Sequence, residues 1–392
     1  MKAKEIFDTY KEYIMPTYTK TPLIFVKGKG SRLWDIHNKQ YLDFFPGWGV
    51  GSLGHCYPKV MSAVRDQVSK LIFIPNNYYH PAQARLAKEL NFWAFPAKVF
   101  FCNSGAEANE AAIKFCRKYG NGRYEIITFE NSFHGRTLAT LAATGQKKYQ
   151  AGFAPLPEGF KIVKFNDLEA VKDALTEKTV AIMLELIQGE GGINIAQKDF
   201  VSGLRKLCDE KNLLLIFDEV QTGIGRTGKM FCYQNYGIIP DIMTLAKALG
   251  GGLPIGVMLV KKQIADILGP GMHASTFGGS PLVCRAALAV LRSIQKEKML
   301  ANVLKMGEYL GEQLKTLKSK YSVIKEVRGL GLMWGVELNI AGKEIVEGCI
   351  KEGLLINCTH ETVLRLMPAL NITKKEINKA IKILDNVLKQ IR

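Results

Sequence analysis

The stretch Leu213-Leu214-Leu215-Ile216-Phe217-Asp218-Glu219-Val220-Gln221 runs apolar for five residues and then turns abruptly acidic. Five consecutive apolar side chains are too few for a buried helix and too uniform for a strand with one wet face. They suit a strand covered on both sides, as in a parallel sheet. Similar short runs recur as VFFCN (99–103), YEIITF (124–129), VAIMLEL (180–186) and IGVMLV (255–260). Between them lie helical patterns over 58–71, 81–95, 105–119 and 198–211, with Gly120 expected at the position just past the third. Strands alternating with helices predict an α/β fold whose mainly parallel sheet is sandwiched between helices.

The ends of the chain read differently. A short helix opens it, followed by strand-like LIFVKGKGSRLWDI and KQYLDFF with turns at Gly28–Gly30 and Asn38. The tail carries a helix over 305–318, strands VIKEV, LMWGVEL and VLRLM, and a last helix with Ile377, Ile381, Leu384, Leu388 and Ile391 at helical spacing. This predicts a smaller α+β domain. No repeat or Pro/Gly/Ser linker interrupts the chain, so the expected division is an N-terminal segment (1–50) packed with the small domain, a large domain (51–290) and a small C-terminal domain (291–392).

Composition narrows the function. With 47% hydrophobic and 23% charged residues among 392, the chain is an ordinary globular mixture and not a disordered or fibrous one. No apolar run approaches the ~18 residues of a membrane span, and MKAKEIFDTYKEYIMP holds no secretory core, so a soluble, cytoplasmic protein is expected, with no membrane partner. Eight cysteines without a CxxC and six histidines without an HExxH predict reduced thiols and no metal site. The net charge of +17 is spread among acids, as in KEKML and TKKEINK, which points to steering of small anions and not to nucleic acid.

In a doubly wound sheet, ligands sit beyond the carboxyl ends of the strands. After VFFCN, Ser104, Gly105 and Ala106 open a helix whose N–H groups suit a phosphate, although Ser104 with Glu107 also reads as an ordinary capping box. Asp218 ends its strand where a charge needs a cationic partner, either a metal ion or a protonated ring nitrogen. The GIGRTG of residues 223–228 is a literal dinucleotide fingerprint and would be the mark of a nicotinamide oxidoreductase. However, it begins several residues after the strand, no helix pattern follows it, and no acid stands about 20 residues on. Lys247 is isolated in an apolar stretch before Gly250, Gly251 and Gly252. A lysine in such surroundings loses proton affinity and becomes an imine-forming nucleophile. A phosphate turn, a strand-terminal aspartate and such a lysine together are what pyridoxal 5′-phosphate requires.

SGAEANEAAIK, FHGRT, QGEGG, FDEVQTGIGRTG, LAKALGGGLPIG, STFGG and RLMPAL, in this order, resemble the class III aminotransferases of fold type I. The resemblance runs from about Thr21 to near the C-terminus. It implies a large domain with a mainly parallel seven-stranded sheet and a smaller α+β domain. It further implies that Lys247 holds pyridoxal 5′-phosphate as an imine, Asp218 pairs with the ring nitrogen, and Gln221 contacts the phenolic oxygen. Phe133 and Val220 would cover the two ring faces, and Ser104, Gly105 and Ala106 would hold the phosphate. In the family the counterpart of Thr276 reaches that phosphate in the neighbouring subunit, so a homodimer with shared active sites is implied. For substrate, the resemblance assigns the α-carboxylate clamp to Arg365, donor contacts to Arg136 and Ser275, and a switch to Glu190, which pairs with Arg365 and releases it between half-reactions.

Within the family the motifs resemble the branch that exchanges the δ-amino group of N2-acetylornithine with 2-oxoglutarate in arginine biosynthesis. Ornithine, 4-aminobutyrate and N-succinyldiaminopimelate are the rival donors. Departures from that branch are Phe73-Ile74-Pro75 where it carries His-Thr-Ser, Ser280 in place of Asn, Ala369 in the PPL motif, and Trp48 in place of an aliphatic residue.

Overall fold

A computed structural model describes residues 2–391. Its largest sheet has seven strands in the order Ala97–Cys102, Gly256–Lys261, Ile242–Leu245, Leu214–Asp218, Thr179–Leu184, Glu125–Phe129 and Phe160–Val163. Only Gly256–Lys261 runs against its neighbours; the other pairings are parallel. Every residue of the strands Thr179–Leu184, Leu214–Asp218 and Ile242–Leu245 is buried, which is why their sequences lack alternation. Asp218 is in register with Thr244, and Phe217 with Leu184, so the residues following these strands emerge at one edge of the sheet.

Two of the seven strands were not separable in the sequence. Phe160–Val163 is an edge strand, only partly buried and carrying a lysine. Ile242–Leu245 lies inside a longer apolar stretch that the backbone divides: the strand ends at Leu245, and Lys247–Gly250 forms a tight 3₁₀ turn. Helix boundaries differ too. Gly120 is the last residue of helix Gly105–Gly120, not the residue beyond it; Asn121 takes the left-handed position at φ 45°, which asparagine tolerates. The helix expected over 305–318 spans Met299–Lys320, and its start was illegible because Lys298, its N-cap, makes no side-chain cap.

The N-terminal strands Phe25–Lys29, Arg32–Asp35 and Gln40–Asp43 form an antiparallel meander. Its fourth strand, Leu354–Leu355, arrives from the far end of the chain and pairs in parallel with Gln40–Asp43. A separate antiparallel sheet orders Ile324–Leu330, Met333–Leu338, Val363–Leu366 and Asn357–Thr359, and puts Arg365 opposite Gly335. Helix Lys374–Leu388 closes the chain behind a full capping box of Thr373 and Glu376. Among the described residues no helix is long and apolar enough to cross a membrane.

The antiparallel strand also supports the turn after Cys102. A Cβ on Gly256 would lie 2.1 Å from the Ser104 carbonyl oxygen and 2.7 Å from Cys102 Sγ. Gly256→Ala is therefore expected to cost about 1–3 kcal/mol through overpacking, read as a lowered urea midpoint; an unchanged midpoint would show that the turn yields freely.

Candidate active site

At the carboxyl edge of the seven-stranded sheet lies a cavity of about 490 Å³. Its walls include Ser104, Gly105, Ala106, Phe133, Arg136, Asp218, Val220, Gln221 and Lys247, contributed by four separate segments of the chain. Ser104 Oγ accepts the Glu107 N–H at 3.1 Å, while Glu107 reaches back to the Asn103 N–H at 2.6 Å. The capping reading of Ser104 thus holds, yet it satisfies a single first-turn donor. The N–H groups of Gly105 and Ala106 have no intrahelical acceptor where they line the cavity. A Cβ on Gly105 would sit 2.7 Å from Val220 Cγ1, so the turn is packed directly against that wall.

Asp218 is 3% exposed and its orientation is fixed from several sides. Its Oδ2 accepts from Asn109 Nδ2 and from His134 Nδ1, each at 2.8 Å, and its Oδ1 accepts the Val220 N–H at 3.0 Å. Asn109 is itself anchored by Thr244 Oγ1 at 2.7 Å. Nothing in the spacing of Asn109 and His134 along the chain ties them to Asp218; the fold brings both to its carboxylate. The fully buried Nε2 of His134 finds no protein partner.

Lys247 lies on the same wall with φ 46°, a left-handed conformation uncommon for a side chain of its size. Burial pushes its ammonium below the ordinary lysine value, while the carboxylates of Glu190, Asp218 and Glu185 pull the other way. Gly251 and Gly252 follow with φ 58° and 113°, which accounts for the glycine run: the chain must leave this turn left-handed. Glu185, which sequence reading passed over as the end of a strand, also lines the cavity. Burial, then the charge of Asp218, holds its carboxyl well above the usual range, although the Phe133 N–H donates to it at 3.1 Å.

Arg365 and Glu190 stand behind this wall. Arg365 is fully buried, and its Nη1 donates to Glu190 Oε1 at 2.6 Å, to the Gly189 carbonyl at 2.8 Å and to Gln221 Oε1 at 3.2 Å. Its Nε donates to Asn357 Oδ1 at 2.9 Å, and its guanidinium lies 4.7 Å from the Phe45 ring centroid. Its Nη2 is buried and has no hydrogen-bond partner among the described residues. Burial alone would raise the pKa of Glu190, but the Arg365 guanidinium, with Lys247 and Gln221, outweighs it and holds the carboxyl below 4.5. Gln221 is the only one of these three that also lines the cavity.

The remaining predicted residues lie at the rim or beyond it. Ser275 Oγ accepts from Asn103 Nδ2 at 3.1 Å, which ties it to the cavity edge. Thr276 is exposed and is not brought to this chain's own cavity. Trp48 has φ 55° and meets Phe45 edge-on at 5.6 Å, while Phe73 packs on Phe277 at 5.4 Å.

GIGRTG is not a cradle for pyrophosphate. No α-helix follows it, and Arg226 is buried, donating to the carbonyls of Leu332 (3.0 Å) and Pro368 (2.5 Å) and to Ser52 Oγ (2.8 Å).

The profile of the aminotransferase class-III family matches residues 13–388. The chain belongs to that family. It is accordingly a pyridoxal-phosphate-dependent aminotransferase of fold type I. It is 51% identical to a protein of Methanocaldococcus jannaschii named acetylornithine aminotransferase, with all of both chains covered. Similarity at 44% identity extends to a Yersinia pseudotuberculosis protein named succinylornithine transaminase, over 98% of this chain and 96% of that one. The crystal structure of ornithine aminotransferase from Toxoplasma gondii superposes with a TM-score of 0.96 at 31% identity, over 99% of this chain and 95% of that one.

Breaking the Arg365–Glu190 pair from one side exposes what its burial demands. Removing the carboxylate by Glu190→Ala leaves a buried guanidinium and is expected to cost roughly 3 kcal/mol. Because Glu190 is held below its ordinary 4.5, its stabilisation is present above that pH and is lost as pH falls through the lowered value. Urea melts should therefore show a steeper acid decline in the parent protein than in the variant; parallel curves would refute the assignment.

Proposed function

We propose that this aminotransferase moves the δ-amino group of N2-acetylornithine to 2-oxoglutarate, yielding N-acetylglutamate 5-semialdehyde and glutamate. In arginine biosynthesis the same reversible reaction runs in the opposite direction. The observation that carries the reading is the buried Arg365–Glu190 pair standing directly behind a wall shared with Lys247 and Asp218. One cavity must accept an amine donor with a single carboxylate near its far end, and then a dicarboxylic acceptor. A clamp with its own internal counter-ion can be closed for the first and open for the second.

The residues fit pyridoxal 5′-phosphate on physical grounds. Gly105 and Ala106 offer N–H groups for a phosphate, with Ser104 beside them; Asp218 offers an oriented carboxylate for a protonated ring nitrogen; Phe133 and Val220 offer flat apolar cover; Gln221 offers a donor at the phenolic edge. When bound, the cofactor supplies an electron-accepting ring that acidifies the hydrogen on the amine-bearing carbon. Asp218, fixed by Asn109 and His134, keeps the ring nitrogen protonated. Lys247 is the covalent anchor for the aldehyde. As a free amine of lowered proton affinity, its Nζ would take that proton and hand it to the cofactor's former aldehyde carbon. Glu190 neutralises Arg365 while the amine donor is present and yields it to the second carboxylate of the acceptor.

Replacing Lys247 by Ala should reduce turnover at least about 10³-fold, in line with loss of a positioned proton carrier; mass spectrometry after borohydride trapping should find the added cofactor mass on Lys247 in the parent protein. Specificity constants for N2-acetylornithine, N2-succinylornithine, ornithine and 4-aminobutyrate, each with 2-oxoglutarate, test the donor. Equal use of all four would overturn the substrate while leaving the family intact.

We further read the chain as a cytoplasmic homodimer divided at about residues 50 and 290. The pairing of Leu42 with Leu354 supports grouping the N-terminal segment with the C-terminal domain. Thr276, off its own cavity, and the exposed Ile72, Tyr78, Tyr79 and Phe277 support a second subunit on that face. Light scattering should give a mass near twice 43.6 kDa; a monomer that is fully active would remove Thr276 from the site.

A further inference from the structure

Arg136 lies on the cavity wall, yet its side chain is exposed and no carboxylate or hydrogen-bond acceptor holds its guanidinium among the described residues. An arginine left free in this way samples many rotamers, and a clamp built on it would have to order the side chain each time a substrate enters. The structure supplies another restraint. The Arg136 guanidinium carbon lies 3.9 Å from the centroid of the Tyr149 ring and 5.6 Å from that of Phe133. The two rings meet edge to face, 5.8 Å apart at 85°. Stacking on an aromatic face occupies the flat side of a guanidinium and leaves its N–H edge available for a carboxylate.

Tyr149 does not line the cavity itself. It sits on the one-turn helix Lys147–Gln150, which is anchored at both ends to the chain between residues 131 and 144. Gln146 Nε2 donates to the carbonyls of Asn131 and Ser132 at 3.2 Å, beside Phe133. Gln150 Nε2 donates to the carbonyls of Leu141 and Thr144 at 3.1 and 3.0 Å. Phe133 in turn is pinned through its N–H to Glu185. The ring of Tyr149 is thus a fixed platform, and the guanidinium is the movable part laid on it. Lys148 Nζ also comes within 5.1 Å of this ring, but Lys148 is exposed and absent from the cavity wall.

We propose that Tyr149 is a positioning residue for donor specificity: its ring holds Arg136 in the pose that reads the carboxylate at the acylated end of the amine donor. The proposal rests on the N2-acetylornithine reading above and makes Arg136 the direct contact, with Tyr149 acting through it. The phenolic hydroxyl has no part in it; the aromatic face does.

The test compares two donors on the holoenzyme, N2-acetylornithine and N-acetylputrescine, which differ by the carboxylate alone. Tyr149→Leu, and Tyr149→Gln as a second variant of similar bulk, should raise the KM for N2-acetylornithine about two- to fivefold with kcat little changed, the fold-change of an exposed cation–π contact. The specificity constant for N-acetylputrescine should stay where it was, and Tyr149→Phe should restore the parent discrimination. The visible cofactor band should be equal in all variants, since a merely structural role would lower it. Loss of both donors alike, or a fall in kcat alone, would overturn the proposal. Arg136→Ala separates the two levels of inference. If it abolishes discrimination while the Tyr149 variants keep it, Tyr149 is not the positioning residue. If Arg136→Ala itself leaves discrimination intact, the carboxylate reading of Arg136 fails, and the role of Tyr149 fails with it.

Discussion

The constraint on which this molecule turns is the burial of negative charge at one edge of the large sheet. Asp218 is 3% exposed, Glu185 6% and Glu219 1%, and Glu190 lies next to them in the same loop system. Carboxylates removed from water are costly unless they are paired or hydrogen-bonded, and these resolve the cost in different ways. Glu190 takes Arg365. Asp218 takes the donors of Asn109 and His134. Glu219 takes two backbone N–H groups, of Cys232 and Tyr233, and even so burial raises its pKa to about 7. Glu185 takes the backbone N–H groups of Phe133 and Gly189, at 3.1 and 3.4 Å, and burial still pushes its carboxyl up. An edge so rich in acids and so short of cations calls for a cationic ligand. A protonated heterocycle opposite Asp218 would meet that need, and burial lowers the proton affinity of the Lys247 amine on the cavity wall.

How much of this was legible in the sequence depended on whether the signal was local. LLLIFD, VAIMLEL and IGVMLV have no polar alternation because they occupy the interior of the sheet, and the burial that makes them readable also makes their ends informative. Asp218 and Lys247 could therefore be picked out from chemistry alone. Phe160–Val163 and Ile242–Leu245 escaped, one for being an edge strand and the other for running into an apolar turn. The turn at Lys247 carries a left-handed backbone on a lysine, which no propensity anticipates; only the glycines after it hint at the geometry. The Arg365–Glu190 pair joins residues 175 positions apart, and such a distance leaves no spacing to read. Resemblance to a family supplied that pair, as it supplied Thr276. Tyr149 had neither source: KKYQ is an unremarkable polar stretch until the fold lays it beside Phe133.

Trp48 and Phe45 show how a departure from the related sequences can be absorbed. Trp48 occupies a left-handed position, remains 47% exposed and presses edge-on against Phe45, whose ring meets the Arg365 guanidinium. The segment that follows the N-terminal meander thereby reaches Arg365 through Phe45, while Val50, two residues beyond Trp48, lines the cavity with Lys247. The bulk of Trp48 is thus taken up by packing on Phe45, the ring that covers Arg365.

The loop after the central strand ties these two ends together. It begins with Asp218, Val220 and Gln221 on the cavity wall and ends in the GIGRTG segment, whose glycines answer to packing: a Cβ at Gly228 would come within 2.3 Å of Leu304 Cδ2 on helix Met299–Lys320. Arg226 then spans to the carbonyls of Leu332 and Pro368 and to Ser52, with no carboxylate beside it and its pKa lowered by burial to about 9. An unneutralised buried guanidinium is expensive, and one held by three acceptors from three distant segments resists displacement of any of them. Leu332 and Pro368 flank the strands that carry Gly335 and Arg365. Asp218 and Arg365 are therefore the two ends of one braced span. The separation between the group that would hold the ring nitrogen and the group that would hold the substrate carboxylate is thus braced twice, by this clip and by the bond from Arg365 to Gln221.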